Sequence, residues 1–257
     1  YSPPGRAVRV SRVRPGKAAR ASLVPPGRPA PGRAAPAIHP RAARNPRPAP
    51  GVDVVMSVTA SFAVTWDYRC PFARNAHEHL LAGLADGAGW EVDFQPFSLS
   101  QVHVEEGQPD VWDNPSKAPD LLALEVGVVV RDRMPDRFPE VHRALFSARH
   151  DEDRDIRVQA VVSQVLTGAG VDAGAVLAEV ADGWPRESVR KSHEAAVADN
   201  QVFGVPTFVT GGQAAFVRIM TRPGEDGALA RRTIDRILDL VTGVPELNEL
   251  KHTTISR

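Results

Sequence analysis

The chain has 257 residues, 42% of them apolar, enough to bury the core of a sizeable domain without disulfide or metal staples. Its formal net charge of zero hides an asymmetry: residues 1–50 carry 11 of the 31 basic residues and no Asp or Glu, leaving 20 basic against 31 acidic residues beyond them. The acidic remainder repels phosphate backbones and argues against nucleic acid as a partner of the folded part; no apolar run of about 18 residues is present to span a membrane as a helix; and one cysteine excludes an internal disulfide, which points to a reducing, cytoplasmic compartment.

Residues 1–50 also hold 12 of the 23 prolines, mixed with Ala, Arg and Gly. Such a stretch buries too little apolar area to offset the entropy of ordering, so residues 1–55 are expected to form a disordered extension; in a sharper version Met56 is the true start and what precedes it is upstream sequence or a dispensable extension. A basic arm touching nucleic acid and a targeting segment are the functional alternatives, but the Ser-rich amphipathic pattern of the second is missing.

After Met56 the pattern alternates, predicting a strand from Val58 to Trp66 with Phe62, Val64 and Trp66 on one face. A helix follows from Pro71, with Phe72, Ala76, Leu80 and Leu84 recurring every four residues, and ends near Asp86-Gly87. A second strand, Trp90 to Phe97, completes a β-α-β unit whose strands should be parallel. From Leu99 to Asn200 only helical stretches are predicted: Pro119–Asp132, Pro139–Arg149, Ile156–Thr167, Ala173–Ala181 and Pro185–Asp199. An antiparallel hairpin over Thr207–Thr210 and Ala214–Ile219, turning at Gly211-Gly212, precedes a last helix over Glu225–Val241. Few folds have this order, and an α/β thioredoxin-like fold with an inserted helical subdomain is one of them: 56–98 the first half, 99–200 the insertion, 201–257 the second half.

Cys70 stands directly before the first helix. A thiolate there faces unpaired backbone N–H groups and the positive helix end, which lower its pKa and make it nucleophilic, and Arg69 and Arg74 flank it with further positive charge. The plainer reading is a small buried hydrophobe. Val205-Pro206-Thr207 lies before the third strand; a cis peptide there would turn the Val205 backbone toward an incoming substrate, whereas a trans proline would only mark the strand start.

Asp67-Tyr68-Arg69-Cys70-Pro71-Phe72-Ala73 resembles the active-site loop of DsbA-like thioredoxin-fold oxidoreductases, and Val205-Pro206-Thr207 their cis-proline loop. Within that superfamily Phe97-Ser98-Leu99, Arg190-Lys191-Ser192-His193 and Glu249-Leu250-Lys251 are most similar to the mycothiol-dependent nitroreductase-like group. The resemblance implies that Cys70 is the catalytic thiol, that Pro71, Phe72, Arg74, Val205, Pro206 and Thr207 bind substrate or stabilise the thiolate, and that the partner is a small-molecule thiol or disulfide. Ala73 departs from the family's Cys-x-x-Cys, so no resolving thiol is present and a second thiol must come from solution. No covalently bound cofactor is implied; mycothiol or another low-molecular-weight thiol would serve as co-substrate. The alternatives are a thiol-dependent transferase or isomerase and a non-catalytic binding protein.

Other candidates read as structural. His77 and His79, two apart on a helix, point different ways and do not make a metal pair. His103 sits in a polar stretch that is a solvated loop or a lid over the thiol. His142, His150 and His193 read as surface or boundary residues, Trp66 and Trp90 as core, Trp112 and Phe203 as candidate pocket walls, and Asp235 and Asp239 as surface ion-pair partners of Arg231 and Arg232.

Overall fold

The computed structural model describes residues 60–255; the expected disordered extension over residues 1–55 lies outside them. Strand β1 (Ala60–Trp66) buries Phe62, Val64 and Trp66, the face that the alternation marks. Helix α1 (Pro71–Ala85) follows with Cys70 as its N-cap, and β2 (Trp90–Pro96) pairs in parallel with β1, Val64 opposite Phe94. The hairpin strands β3 (Thr207–Thr210) and β4 (Gln213–Phe216) complete a sheet in the order β2-β1-β3-β4, with β3 antiparallel to β1. Strand β4 stops before the expected Ile219 because α1 captures the chain beyond it: Asn75 Nδ2 donates to Ile219 O at 2.8 Å and His79 Nε2 to Thr221 O at 3.2 Å.

Between β2 and β3 lie α2 (Leu99–Val102), α3 (Ala118–Arg133), α4 (Phe138–His150), α5 (Gln159–Gly168), α6 (Ala173–Asp182) and α7 (Trp184–Asn200). The single turn of α2 was not expected; Ser98 caps it by accepting from Gln101 N. Helix α5 begins three residues later than predicted, since the Asp155 carboxylate accepts from Arg157 N and holds a turn that competes with the helix. Helix α3 is the axis of the block, buried continuously from Ala123 to Val130 and packed on α4, α6 and α7. Its Glu125 is buried too, paired with Arg186 Nε at 2.6 Å.

Helix α8 (Gly227–Gly243) packs on α1, and its Ile234 and Leu238 join Phe62, Val64, Leu80 and Phe208 in one apolar cluster. Trp90, expected in the core, is half-buried at its edge, donating from Nε1 to Asp235 Oδ1 at 2.9 Å. Asp235 is therefore bound to an indole and not to the neighbouring arginines, and Arg231 pairs instead with Asp86 at 2.9 Å.

A larger cluster joins Trp66, Tyr68, Cys70, Ala73 and Phe97 to the apolar faces of α3–α7, so the inserted helices and the sheet share one core. Through it runs a chain of hydrogen bonds: Tyr68 Oη to His142 Nδ1 at 2.7 Å, His142 Nε2 to His77 Nδ1 at 2.9 Å, and His77 Nε2 to Thr65 O at 3.2 Å. A carbonyl only accepts, so His77 Nε2 carries a proton; with both rings neutral, His142 Nε2 must donate to His77, and Tyr68 to His142. His77 and His142 are fully buried and His193 nearly so, which corrects the surface-or-boundary reading of His142 and His193, whereas His150 is half-buried, at the boundary. The sequence pattern misled because these imidazoles alternate with helical charges yet project inward onto rings such as Trp66 and Phe146.

Two predictions follow from this core. A Cβ on Gly127 of α3 would stand 2.5 Å from Tyr68 Oη. Gly127→Ala gains about 1 kcal/mol of helix propensity but overpacks a fixed ring, a cost of about 1–3 kcal/mol, so urea unfolding should show net loss of stability. Gly168→Ala, with nothing near its Cβ, should be neutral or stabilising. Burial also holds His77 down to about 4 and His142 well below the usual imidazole range. Between about pH 6.5 and 4 the unfolded chain binds protons that the folded chain refuses, so stability should fall with falling pH by about 1 kcal/mol per unit for each histidine. Unfolding curves from pH 7.5 to 5 check this: His142→Phe should flatten the slope, and a flat wild-type profile would contradict two neutral buried imidazoles.

Candidate functional site

The turn between β1 and α1 is built around Asp67. Its buried carboxylate accepts from Arg69 N at 2.9 Å, from the Arg69 guanidinium at 3.1 and 3.3 Å, and from Leu99 N at 2.8 Å, tying the turn to the start of α2. His150 Nε2 donates to Tyr68 O at 2.9 Å, fastening the same turn to the end of α4. The chain is thereby delivered to Cys70 with its side chain at the N-terminus of α1, where Pro71 takes the first helical position at no hydrogen-bond cost.

The Cys70 sulfur accepts from Ala73 N at 3.4 Å and donates to Val205 O at 3.2 Å. The Val205–Pro206 peptide bond is cis. Thr207 fixes this loop to β1, its N–H donating to Thr65 Oγ1 at 2.9 Å and its hydroxyl to Gly204 O at 2.8 Å. Cys70, Val205, Pro206 and Thr207 thus meet at one end of the sheet, with Phe72 half-buried beside the thiol in the first turn of α1. Pro71 is exposed at that turn.

The electrostatics differ from the sequence expectation. The thiol is 8% exposed, and burial pushes its pKa up; the Ala73 and Phe72 amides pull it down, Asp67 raises it and Arg218 lowers it. A helix terminus contributes about 0.3–1 kcal/mol when exposed, less than the cost of removing an anion from water, so desolvation wins and the resting thiol is protonated. Arg74 does not supply the expected thiolate stabilisation. Its guanidinium is taken by Glu78, at 3.1 Å, and by Asp151, with Arg222 joining the same two carboxylates, so it links α1 to the end of α4. Arg69 is likewise neutralised by Asp67.

Arg218, beyond β4, is the smallest of the influences that lower the thiol pKa; its guanidinium lies 5.1 Å from the Phe72 ring centre and 5.5 Å from that of Phe216. Sequence reasoning missed it because the contact exists only after the segment following β4 has folded back along α1. Trp112 packs with Val111 and Leu121 and edge-on to His193, in a small cluster of its own. Phe203 stands exposed against Phe216 at 5.2 Å, on the rim that Arg218 shares. His103 is exposed and bonded to Leu99 O. It lines an open cleft of about 700 Å³ with Arg69, Val104 and Lys117, and Cys70 is not among the residues that line it. Among the described residues no group of His, Cys, Asp or Glu is arranged to hold a metal ion, and no helix is long and apolar enough to cross a membrane.

Over 186 residues, 72% of this chain and 79% of the relative, the sequence is 23% identical to the uncharacterized protein Rv2286c of Mycobacterium tuberculosis. Among solved structures, MdbA, a thiol-disulfide oxidoreductase from Actinomyces oris, is similar with a TM-score of 0.51 and 16% identity, covering 72% of this chain and 84% of that one. A 2-hydroxychromene-2-carboxylate isomerase is similar with a TM-score of 0.50 and 17% identity, covering 70% and 96%. These two likenesses concern the fold. Residues 64–222, more than half of the chain, from the end of β1 through the cis-proline loop and β4, match the family model of the DSBA-like thioredoxin domain, and the protein belongs to that family.

Proposed function

We propose that the protein is a monothiol oxidoreductase that exchanges disulfides through Cys70 and depends on an external small thiol. The observation that carries this reading is the setting of the sulfur, between the Ala73 amide of α1 and the carbonyl of Val205, with an alanine where a resolving cysteine would stand. The Cys70 thiolate attacks one sulfur of a disulfide, an Sγ–S bond forms as the S–S bond breaks, and the departing thiolate takes up a proton. A second thiol from solution then attacks the mixed disulfide, regenerating Cys70 and carrying the first sulfur away as a new disulfide. A cytoplasmic thiol pool, mycothiol or another low-molecular-weight thiol, would supply it.

The buried, protonated thiol favours a second reading, a thioredoxin-fold binding protein without turnover. A thiol-dependent transferase or isomerase is a variant of the first reading that uses the same sulfur. Reactivity separates the classes. Alkylation of Cys70 by neutral iodoacetamide should be slow at pH 7 and rise past pH 9, because a raised thiol pKa leaves less thiolate at neutrality than an ordinary cysteine has. A plateau already at neutral pH would show that burial does not dominate.

The monothiol cycle is checked by intact mass after exposure to a small disulfide. Wild type should hold a mixed disulfide until small thiol is added. Ala73→Cys should discharge it unaided, since residues three apart at a helix start lie within disulfide reach. Catalytic disulfide reduction without external thiol, or activity surviving Cys70→Ala, would rule out the mechanism, and a chain that never forms the adduct would be the binding protein.

A further inference from the structure

Arg218 is held in place by its neighbours on both sides. Val217 N donates to Pro206 O at 3.1 Å, and Asn75 of α1 donates to Ile219 O at 2.8 Å, so the backbone that carries it is pinned to the cis-proline residue and to the helix that Cys70 caps. Its guanidinium lies over Phe72, two residues past Cys70, and over Phe216 of β4. Arg69, Arg74 and Arg222 are all engaged by carboxylates, whereas among the described residues Arg218 takes part in no ion pair or hydrogen bond. It is exposed, and its seat over Phe72 places it beside the first turn of the helix that Cys70 caps.

A guanidinium whose face rests on aromatic rings keeps its edge N–H groups free, and that edge matches a carboxylate with two parallel hydrogen bonds. Resting on the monothiol reading of Cys70, we infer that Arg218 is a specificity-determining residue that binds a carboxylate carried by the disulfide substrate near its sulfurs. The attacking thiolate is itself negative, so an anionic substrate would be repelled without this cation. Arg218 reverses that bias and orients the S–S bond across the opening beside Val205. No redox partner beyond the disulfide is needed, since the carboxylate stays intact.

The experiment measures the rate of Cys70 adduct formation with three disulfides of similar size: 3,3′-dithiodipropionate (anionic), bis(2-hydroxyethyl) disulfide (neutral) and cystamine (cationic). Wild type should prefer the anion over the neutral disulfide, and the neutral over the cation. In Arg218→Gln the anion-to-neutral ratio should fall by about twofold to fivefold, the size expected of one exposed charge pair. Any change in the thiol itself is common to all three reagents and cancels in the ratio. Arg218→Lys should restore part of the preference, and raising salt should shrink it in wild type. An unchanged ratio in Arg218→Gln with adducts still forming overturns the inference alone, whereas no adduct with any of the three overturns the monothiol reading and the inference with it.

Discussion

The site depends on the antiparallel pairing of β1 with β3. Val64 lies opposite Phe208 and Ala63 opposite Val209, so the end of β1 and the beginning of β3 are brought side by side. Everything that follows β1, the Asp67 turn and Cys70, must then face everything that precedes β3, the cis peptide and the Val205 carbonyl. Two segments separated by 135 residues are thereby placed at a sulfur-to-oxygen distance of 3.2 Å. The Thr207 amide on Thr65 Oγ1 is the last bond of this zipper and sets the approach.

The inserted helices serve the same junction from behind. Tyr68 reaches His142 of α4, His150 of α4 reaches the Tyr68 carbonyl, and His77 of α1 reaches the Thr65 carbonyl, so the backbone from residue 65 to 68 is held from two helices. Neutral imidazoles suit this task, because each offers one donor and one acceptor at low desolvation cost, whereas a buried charge would require a partner of opposite sign. The arrangement stiffens the turn that delivers the thiol, and burial of that thiol in the shared core raises its pKa. Rigidity and a ready thiolate are in opposition here, and burial prevails.

Among the comparisons, the family match spans the sheet, the insertion and the cis-proline loop together, which is why it speaks for family membership, while the structural likenesses below 20% identity speak for the fold. Ala73 separates this chain from a dithiol cycle, and the exposed Arg218 beside Phe72 and Phe216 gives the opening a charge of its own.

Much of the fold was legible in the sequence. Alternation over Phe62, Val64 and Trp66, the Cys70-Pro71 helix start, the Pro- and Gly-punctuated helical stretch and the Gly211-Gly212 turn are local signals, each fixed by backbone sterics or by the period of one element. Those signals determined the order of elements, the position of Cys70 as a helix cap and the absence of a second thiol. The tertiary structure alone decided which charges meet the sulfur. Arg74 and Arg69, adjacent in sequence, are drawn off by Glu78, Asp151 and Asp67, while Arg218, nearly 150 positions away, is carried to the rim by Asn75 and the Pro206 carbonyl. It also decided that desolvation outweighs the helix terminus at Cys70, and that the α4 histidines face inward. These outcomes depend on what packs across the chain, and a linear pattern carries no record of the dielectric or the partners that a side chain meets after folding.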